Sequence, residues 1–430
     1  MLSFKNKYNT ETAQSSLPGL KGLLHNKVLE ELDDNFTELA DFDISNMVKK
    51  VASDLDFFDG VDISDGQTSY VINAVIDDLL GFGPIAPYML DDEVSDILIN
   101  DFDDIWVDKQ GRLVKTASQF DNPKHLLRFV ERTLNQCGKQ TNTLAPIVDG
   151  KMVDGSRLSV IIPPACTSTA VVSIRKFSHK KVTRDYLISS GLISSPWLKF
   201  LECAVKAGVN IVISGNAGAG KTSFLNILAS SIDNNERIVT IEESTELKLH
   251  HRHIVQLEAH SSNSEGKGNL DLSDLVKASL RMRADRIIVG EVRAAEVLDM
   301  LQAMSCGHQG SMTTLHANSA QDTITRLCTL TQMHNQQFTS QNVNSLIHSC
   351  VQLVVNLVRT PSGKRVLKSI GEVVMEDGQL SLSPLFCSES NNDEISNEVL
   401  NNSPLIQFMR SRGISEAELS QLLKEYCYAN

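Results

Sequence analysis

The sequence predicts a smaller α+β domain followed by an α/β domain with a mainly parallel β-sheet. The chain has 430 residues, 41% hydrophobic and 22% charged, which suffices for two or three domains with buried cores. Beyond about residue 185, short apolar runs alternate with helical segments of ten or more residues, a pattern typical of parallel α/β sheets. Residues 67–177 instead combine a few helices with short strand-like segments, which indicates an α+β unit.

The polar and basic segment SHKKVTR, residues 178–184, is the predicted linker between the domains. Four parts follow from this boundary: an N-terminal extension (1–66), an α+β domain (67–180), an α/β domain (185–387) and a polar C-terminal tail (388–430). We expect the extension to be variable and partly disordered, since it is polar; a partner-binding segment is the alternative.

In the first domain, apolar residues at helical spacing predict a helix over Tyr70–Leu80, and the turn-rich GFGPIAP ends it. A second helix is predicted over Lys124–Asn135. Short apolar runs predict three strands and then a hairpin-like pair, in this order: Val94–Ile99, Ile105–Val107, Arg112–Lys115, Ser156–Ile162 and Ala170–Phe177.

The second domain is predicted to contain parallel strands and one antiparallel addition. The parallel strands are Ile211–Ser214, Ile238–Ile241, Ile254–Leu257, Ile287–Val289 and Met312–Leu315. The runs Gln352–Leu357 and Val366–Val374 flank a turn and predict the antiparallel pair.

Composition excludes several functional classes. Forty Lys and Arg against 53 Asp and Glu give a net charge of −13, which does not favour a nucleic-acid partner. None of the eight cysteines forms a C-x-x-C pair, so neither a disulfide scaffold nor a zinc ribbon is expected. No apolar h-region or run of about 18 apolar residues is visible. We therefore expect a cytoplasmic protein that reaches a membrane only through partners.

The strongest motif is a G-x-x-x-x-G-K-[ST] loop between a β-rich run and a helical segment. Glycines let backbone amides turn toward phosphate oxygens, and the following helix N-terminus favours negative charge. The loop predicts binding of ATP and Mg²⁺, with Lys221 on the β- and γ-phosphates and Thr222 on the metal. The predicted binding residues are Gly215, Asn216, Ala217, Gly218, Ala219, Gly220, Lys221, Thr222 and Ser223.

Other candidate residues follow predicted strands, where the carboxyl ends form the ligand-binding edge of a parallel sheet. Glu291 follows the strand RIIV and is the candidate general base, although Gly290 stands where the common motif has Asp. Glu242 and Glu243 follow RIVTI, and we expect Glu243 and Glu291 to contact Mg²⁺ through water. His316 closes the strand SMTTL and is a further catalytic candidate. For the glutamates a surface role is the alternative, and for His316 a structural role.

One further histidine and several arginines are also candidates from sequence. His308 lies in a glycine-flanked loop of GHQGSMTTLHANS. Arginines can stabilise the charge that develops in phosphoryl transfer, and Arg157 and Arg175 lie on the hairpin-like strands of the first domain. Arg281, Arg283 and Arg286 precede Glu291, and any of them could instead form surface salt bridges.

Several segments together resemble the type II/type IV secretion-system ATPases, and most closely the branch of tight-adherence (Tad, Flp-type) pili. The resemblance covers about residues 70–375. Its segments include GFGPIAPYMLDDEVSDILIN, VDGSRLSVIIPPA, GNAGAGKTS, TIEESTEL and RADRIIVGEVRAAEVLDMLQAMSCGHQGSMTTLHANS.

The resemblance implies a homohexameric ring with an N-terminal domain and a RecA-like C-terminal domain. In family terms, residues 215–223 are the Walker A loop, Glu242–Glu243 lies in the aspartate box, Glu291 is the Walker B glutamate and residues 308–316 form the histidine box. Arg157 and Arg175 match arginines that approach the phosphates. The implied work is ATP-driven pilus assembly or secretion through an inner-membrane platform protein, at which the ATPase is peripheral.

Four positions depart from the usual pattern of the branch. The sequence reads IEE for IED at Glu243, and His260 stands where an arginine is expected. Gln309 replaces Asp in GHDG, and Ala294 replaces Gly in VRGAE. If the arginine acts at the ring interface, the His260 change would weaken turnover or alter subunit coupling.

Three other functions compete with a pilus motor. A type IV secretion ATPase for effectors or DNA is the closest. A nucleic-acid translocase would also use a RecA-like ring, but the acidic balance opposes it. A nucleotide switch with little intrinsic turnover is the third, kept open by the His260 and Gln309 departures.

Overall fold

The computed structural model describes residues 17–31, 41–54, 64–177, 182–260, 268–335, 337–388, 403–415 and 418–419. The chain divides into two compact units, Met1–Lys180 and Lys181–Asn430. The division falls inside the polar segment 178–184 in which the sequence places the linker.

The first unit begins with three helices that pack on one another. These are α1 (Leu17–Glu31), α2 (Asp41–Asp54) and α3 (Asp65–Leu80), followed by a 3₁₀ turn (Gly83–Ile85) and α4 (Ala86–Leu90). Leu20, Leu24 and Val28 of α1 are buried, as are Val48 and Val51 of α2. The described part of the predicted extension therefore belongs to the folded unit. Composition alone missed this because the apolar residues are few, although their i, i+4 spacing forms a face.

A six-stranded, wholly antiparallel sheet forms the rest of the first unit, in the order β3-β2-β1-β6-β5-β4. One helix, α5 (Pro123–Gln136), packs with it. The strands are β1 (Val94–Asp101), β2 (Asp104–Lys109), β3 (Arg112–Lys115), β4 (Ile147–Lys151), β5 (Arg157–Ile161) and β6 (Val171–Arg175). The hairpin-like pair is thus β5 and β6. Strand β4 was not predicted, because this edge strand is half-exposed and lacks an apolar alternation.

The second unit is built on an eight-stranded sheet in the order β14-β13-β12-β7-β11-β10-β8-β9. Strands β12, β7, β11, β10, β8 and β9 are parallel neighbours, and β13 and β14 are added antiparallel. The strands are β7 (Ile211–Gly215), β8 (Ile238–Glu242), β9 (Ile254–Glu258), β10 (Arg286–Val289), β11 (Met312–His316), β12 (Leu353–Arg359), β13 (Arg365–Glu376) and β14 (Gln379–Cys387). The predicted α/β class is confirmed. The predicted pair is β12 and β13, which are antiparallel to each other, but β12 itself runs parallel to β7, so the antiparallel addition consists of β13 and β14.

Helices cover both faces of this sheet, as expected where parallel strands are buried on both sides. They are α6 (Arg184–Ser189), α7 (Ser195–Ala207), α8 (Lys221–Ala229), α9 (Leu272–Ser279), α10 (Glu296–Ser305), α11 (Ala320–His334), α12 (Ser340–Cys350) and α13 (Pro404–Ser411). One core contains side chains of α7, α8 and α13, and the other contains those of α9 to α12.

Helix α13 lies in the segment predicted as a polar tail, yet it contributes to the core. Leu405, Ile406 and Met409 are buried. The buried Glu372 accepts hydrogen bonds from Ser403 Oγ (2.6 Å) and from the Leu405 backbone N–H (2.6 Å), which anchors the start of the helix. The polar residues before it concealed this short amphipathic helix in the sequence.

In the described part of the chain, no helix is long and apolar enough to cross a membrane. All cysteines from Cys137 to Cys387 are free thiols.

Candidate functional site

Parallel strands bring the predicted polar residues to one edge of the second sheet. Strand β7 lies between β12 and β11, and β10 lies between β11 and β8. Because these strands are parallel, their carboxyl ends meet at the same edge. Gly215, Glu242 and His316 end β7, β8 and β11, and Glu291 follows β10.

The loop from Gly215 to Gly220 joins β7 to α8 with the backbone of a phosphate-binding loop. Gly218 and Gly220 have φ of +71° and +91°, values that glycine adopts without strain. A Cβ atom on Gly215 would lie 2.2 Å from the carbonyl oxygen of Leu357, so this position accepts only glycine. Helix α8 starts at Lys221, which places its N-terminal backbone amides at the end of the loop.

Contacts with β12 and β13 hold the loop in place. Asn216 exchanges two hydrogen bonds with the backbone of Arg359: its Oδ1 accepts from the N–H (2.9 Å) and its Nδ2 donates to the carbonyl (3.2 Å). Arg365 Nε donates to Gly218 O at 2.9 Å. Strands β12 and β13 therefore bring two arginines to the loop.

Lys221 is 7% exposed and its ammonium group lies inside the curl of the loop. Its Nζ donates to Gly215 O (3.2 Å) and Asn216 O (3.4 Å), and lies 3.2 Å from His316 Nδ1. Burial lowers the pKa of Lys221, Glu291 opposes this shift, and Arg293 adds to it. Thr222 and Ser223 follow in the first turn of α8.

Glu291 is held from two sides. Its Oε1 lies 3.0 Å from His316 Nε2, and its Oε2 accepts from Arg293 Nη2 at 2.8 Å. Arg293 Nη1 also donates to Glu243 Oε2 at 2.9 Å, so one guanidinium joins both carboxylates. The pKa of Arg293 is raised chiefly by its hydrogen bond to Glu291.

His316 is thus in contact with both Lys221 and Glu291. The pKa of His316 is lowered, first by burial and then by the positive charge of Lys221, with Glu291 opposing the shift. We infer that the imidazole is neutral at pH 7 in the nucleotide-free chain.

Glu242 differs from its neighbour Glu243 in both burial and contacts. It is 4% exposed, and its Oε1 accepts the backbone N–H groups of Glu246 (2.9 Å) and Leu247 (3.0 Å). Its Cγ would lie 2.9 Å from a Cβ atom placed on Gly290. The absence of Asp before Glu291 therefore has a local reason: Glu242 occupies that space.

The sequence reasoning missed Arg293, Arg359 and Arg365. The pair Val292–Arg293 directly after Glu291 was visible, but an arginine several residues beyond the end of a strand carries no signal by itself. Arg359 and Arg365 reach the loop only because β12 is the neighbour of β7, and pairing between strands 140 residues apart cannot be read from local pattern.

The first-domain arginines lie opposite each other on β5 and β6. Asp96 of β1 is the next partner in that row, and Arg175 Nε donates to its Oδ1 at 3.1 Å. The side chain of Arg175 is 68% exposed. Like charges directly opposite in a sheet are destabilising.

The remaining arginine and histidine candidates lie at the other end of the strands. Arg286 begins β10; it is buried, pairs with Glu236 and donates to Val205 O. His308 precedes β11, and its Nδ1 lies 2.8 Å from Ala284 O. His308 and His316 thus lie at opposite ends of β11. Arg281 and Arg283 are exposed before β10.

Of the four sequence departures, Glu243 pairs with Arg293, and His260 and Gln309 form contacts elsewhere. His260 is exposed and its backbone forms a two-bond bridge with Leu270. Gln309 Oε1 accepts a hydrogen bond from Arg412, so this side chain faces the segment after α13. Neither residue contacts the described side chains around Lys221.

The residues present fit a nucleoside triphosphate with Mg²⁺. The loop offers a buried ammonium and a helix N-terminus, two groups that favour phosphate oxygens. Thr222, Glu243 and Glu291 supply the hydroxyl and carboxylate oxygens that Mg²⁺ prefers.

Comparison with known proteins shows the family to which the chain belongs. The profile of the family described as type II/IV secretion system protein matches residues 78–417. A Mycobacterium tuberculosis protein named for conjugal transfer is 30% identical over 323 residues, 73% of this chain and 91% of its own. The type IV secretion system protein PtlH of Bordetella pertussis is 28% identical, over 68% of this chain and 93% of its own.

Among solved structures, the ATPase DotB of Legionella pneumophila aligns with 20% identity and a TM-score of 0.45, over 68% of this chain and 80% of its own. The family match spans both compact units and includes every residue around Lys221 and Glu291. The chain therefore belongs to the type II/IV secretion system protein family.

Proposed function

We propose that this chain hydrolyses ATP and works as a motor of a secretion or pilus machine. One observation carries the proposal: Lys221, His316, Glu291, Arg293 and Glu243 form a continuous set of contacts at the edge where the phosphate loop ends. A phosphate loop, a base and a pair of metal-directed carboxylates are the parts that hydrolysis requires.

Each residue has a role that its contacts support. Lys221 neutralises phosphate charge, and Thr222 with Glu243 and Glu291 directs Mg²⁺, which supplies charge stabilisation when bound. Glu291 is the proposed general base for the attacking water. His316 positions Glu291 and Lys221 rather than accepting the proton itself, since it contacts both.

Arg293 adds a condition to this role of Glu291. Arg293 occupies one oxygen of Glu291 and one of Glu243, the two carboxylates proposed to direct Mg²⁺. Oε1 of Glu291 accepts no hydrogen bond from the described residues, so this oxygen is available for a proton from water, whereas full use of both carboxylates toward Mg²⁺ requires the release of Arg293. The same observation favours a second candidate function, a nucleotide switch that gains turnover only when a partner opens the Arg293 pair.

The assembly is proposed from the family and its relatives. We infer a homohexamer that is peripheral to the inner membrane through a platform protein. The relatives named for conjugal transfer and type IV secretion support a transfer or secretion machine. The segments of the Tad branch support pilus assembly, and Tad-type pilus assembly remains our first choice within the family.

Steady-state ATP hydrolysis by the purified full chain tests the enzyme proposal, with Glu291→Gln as the matched variant. Glutamine keeps the shape but cannot take a proton, so ATP binding should persist while turnover falls by roughly 10²–10⁴-fold. Equal turnover in both proteins would refute Glu291 as the base. ATP binding without turnover in either, also at concentrations that favour rings, would support the switch.

A further inference from the structure

A cluster of two histidines and one aspartate lies in the first unit, outside the residues assigned so far. His25 belongs to α1, Asp121 precedes the N-cap residue of α5, and His125 lies in the first turn of α5. Asp121 Oδ2 is 3.0 Å from His25 Nδ1 and 3.1 Å from His125 Nδ1. One ligand atom from each residue lies within 4.8 Å of the other two.

The two histidines are deeply buried, and their polar atoms are poorly satisfied. His25 is 1% exposed and His125 is 4% exposed. Asp121 Oδ2 is the near neighbour of His25 Nδ1, but no hydrogen bond of good geometry from the described residues reaches either ring nitrogen of His25 or Nε2 of His125. The Asp121 backbone N–H reaches His125 Nδ1 only at 3.3 Å. Buried polar atoms are normally paired, so these exceptions need an explanation.

The surroundings of His25 and His125 favour a role as metal ligands over a role as bases at the surface. The His25 and His125 rings lie 4.6 Å apart between centroids, and Phe120 meets His125 edge-on at 5.2 Å. The opposite side of the cluster is open to solvent, because the Asp121 side chain is 46% exposed. An ion could therefore enter beside Asp121 and keep a water as a further ligand.

We propose that His25, Asp121 and His125 bind a divalent transition-metal ion of the zinc class. Two ligand atoms that each lie about 2.0–2.1 Å from Zn²⁺ at a tetrahedral angle are about 3.3 Å apart. The distances from Asp121 Oδ2 to the Nδ1 atoms of His25 and His125 are close to this value. Two imidazole nitrogens with one carboxylate oxygen suit zinc and similar ions rather than Mg²⁺ or Ca²⁺, which take oxygen ligands.

Such an ion would join two parts of the first unit that are distant in sequence. His25 is on the N-terminal helices, whereas Asp121 and His125 lie where α5 begins beside the antiparallel sheet. A shared ion would close a loop of almost one hundred residues and bind the folded chain only. Metal binding should therefore raise the thermal midpoint of the full chain.

The test is Zn²⁺ titration of the full chain after dialysis against a chelator, followed by calorimetry and thermal unfolding without nucleotide. We compare wild type with Asp121→Asn and with His25→Gln. The Asp121 side chain is exposed, so the fold should persist in Asp121→Asn. The exposed His348→Ala in the second unit is the matched control.

We expect one Zn²⁺ per chain whose affinity falls at least tenfold in Asp121→Asn and His25→Gln and is unchanged in His348→Ala. The zinc-induced rise of the thermal midpoint should disappear in the same two variants, and Mg²⁺ should cause no such rise. Co²⁺ in place of Zn²⁺ should give d–d absorption that the Asp121→Asn variant lacks. Equal zinc affinity in wild type and Asp121→Asn would overturn the proposal, as would wild type that binds no zinc.

Discussion

Replacing Gly290 by alanine should destabilise the second unit, because the new methyl group has no room. Its Cβ would lie 2.9 Å from Glu242 Cγ, a distance that real Cβ atoms essentially do not show. Glu242 cannot move freely, since it is buried and its Oε1 holds the backbone amides of Glu246 and Leu247. Either the β8 end or the segment after it must shift.

The expected cost follows from these contacts. Overpacking of this kind costs about 1–3 kcal/mol. If the shift also breaks one of the hydrogen bonds to the Glu242 carboxylate, the loss adds about 1.5–3 kcal/mol. Alanine regains about 0.4–1 kcal/mol by restricting the unfolded chain. A net loss of about 2 kcal/mol would lower the midpoint of a unit this size by about 4–8 °C.

Tryptophan fluorescence can follow the second unit by itself. The chain has two tryptophans, of which Trp197 is 4% exposed in the core of the second unit and Trp106 lies on β2 of the first. In a Trp106→Phe background, denaturant and thermal unfolding of Trp197 report on the unit that contains Gly290. The comparison is between wild-type Gly290 and Gly290→Ala.

The control is a double-mutant cycle with Glu242→Ala. Without the Glu242 Cγ, the nearest remaining atom of that side chain is Cβ at 3.6 Å, an ordinary contact. Gly290→Ala should then cost almost nothing, and the coupling free energy should be about 2 kcal/mol. An equal cost of Gly290→Ala in both backgrounds would refute the steric explanation.

Three further predictions concern the site itself. Lys221→Ala should abolish measurable ATP hydrolysis and weaken nucleotide binding, because the buried ammonium at the loop is lost; filter binding of labelled ATP checks it, and full activity would exclude a role in phosphate binding. The pKa of His316 is lowered, so the unfolded chain binds more protons below about pH 6.5; stability from this group is present above that pH and is lost on acidification. The thermal unfolding midpoint of wild type should fall further than that of His316→Gln between pH 7.5 and 5.5. Parallel curves of midpoint against pH would contradict the lowered pKa of His316. Arg157→Ala should slow hydrolysis while the circular dichroism of the folded chain persists, since the change removes one of two like charges that lie opposite each other. If the fold is lost instead, Arg157 is structural.

Local pattern was sufficient for most elements of the fold. Hydrophobic runs placed every parallel strand to within one or two residues, and β7 followed by the loop Gly215–Gly220 was readable because glycine spacing is a local property. Local pattern failed to predict elements with few buried residues and elements that lie in mainly polar stretches of the sequence. Strand β4 lacks an apolar alternation, and α1, α2 and α13 lie in stretches whose polar residues outnumber the few that are buried.

The site divides in the same way. Lys221, Glu291, Glu243 and His316 could be named because each sits at the end of a predicted strand or in the loop, and parallel strands must align those ends. Whether a candidate faced that edge depended on which end of its strand it occupied. Arg286 begins β10 and His308 precedes β11, so both lie at the other end.

The sequence by itself determined the fold class, the phosphate loop and the residues at the strand ends, since these depend on the order of residues along short segments. Only the tertiary structure decided which side chains are partners. Strand order puts Arg365 on the loop, Arg293 joins Glu243 to Glu291, and packing of α1 brings His25 to Asp121. These contacts join residues that are separated by up to 147 positions, and chain folding, not local spacing, sets such distances.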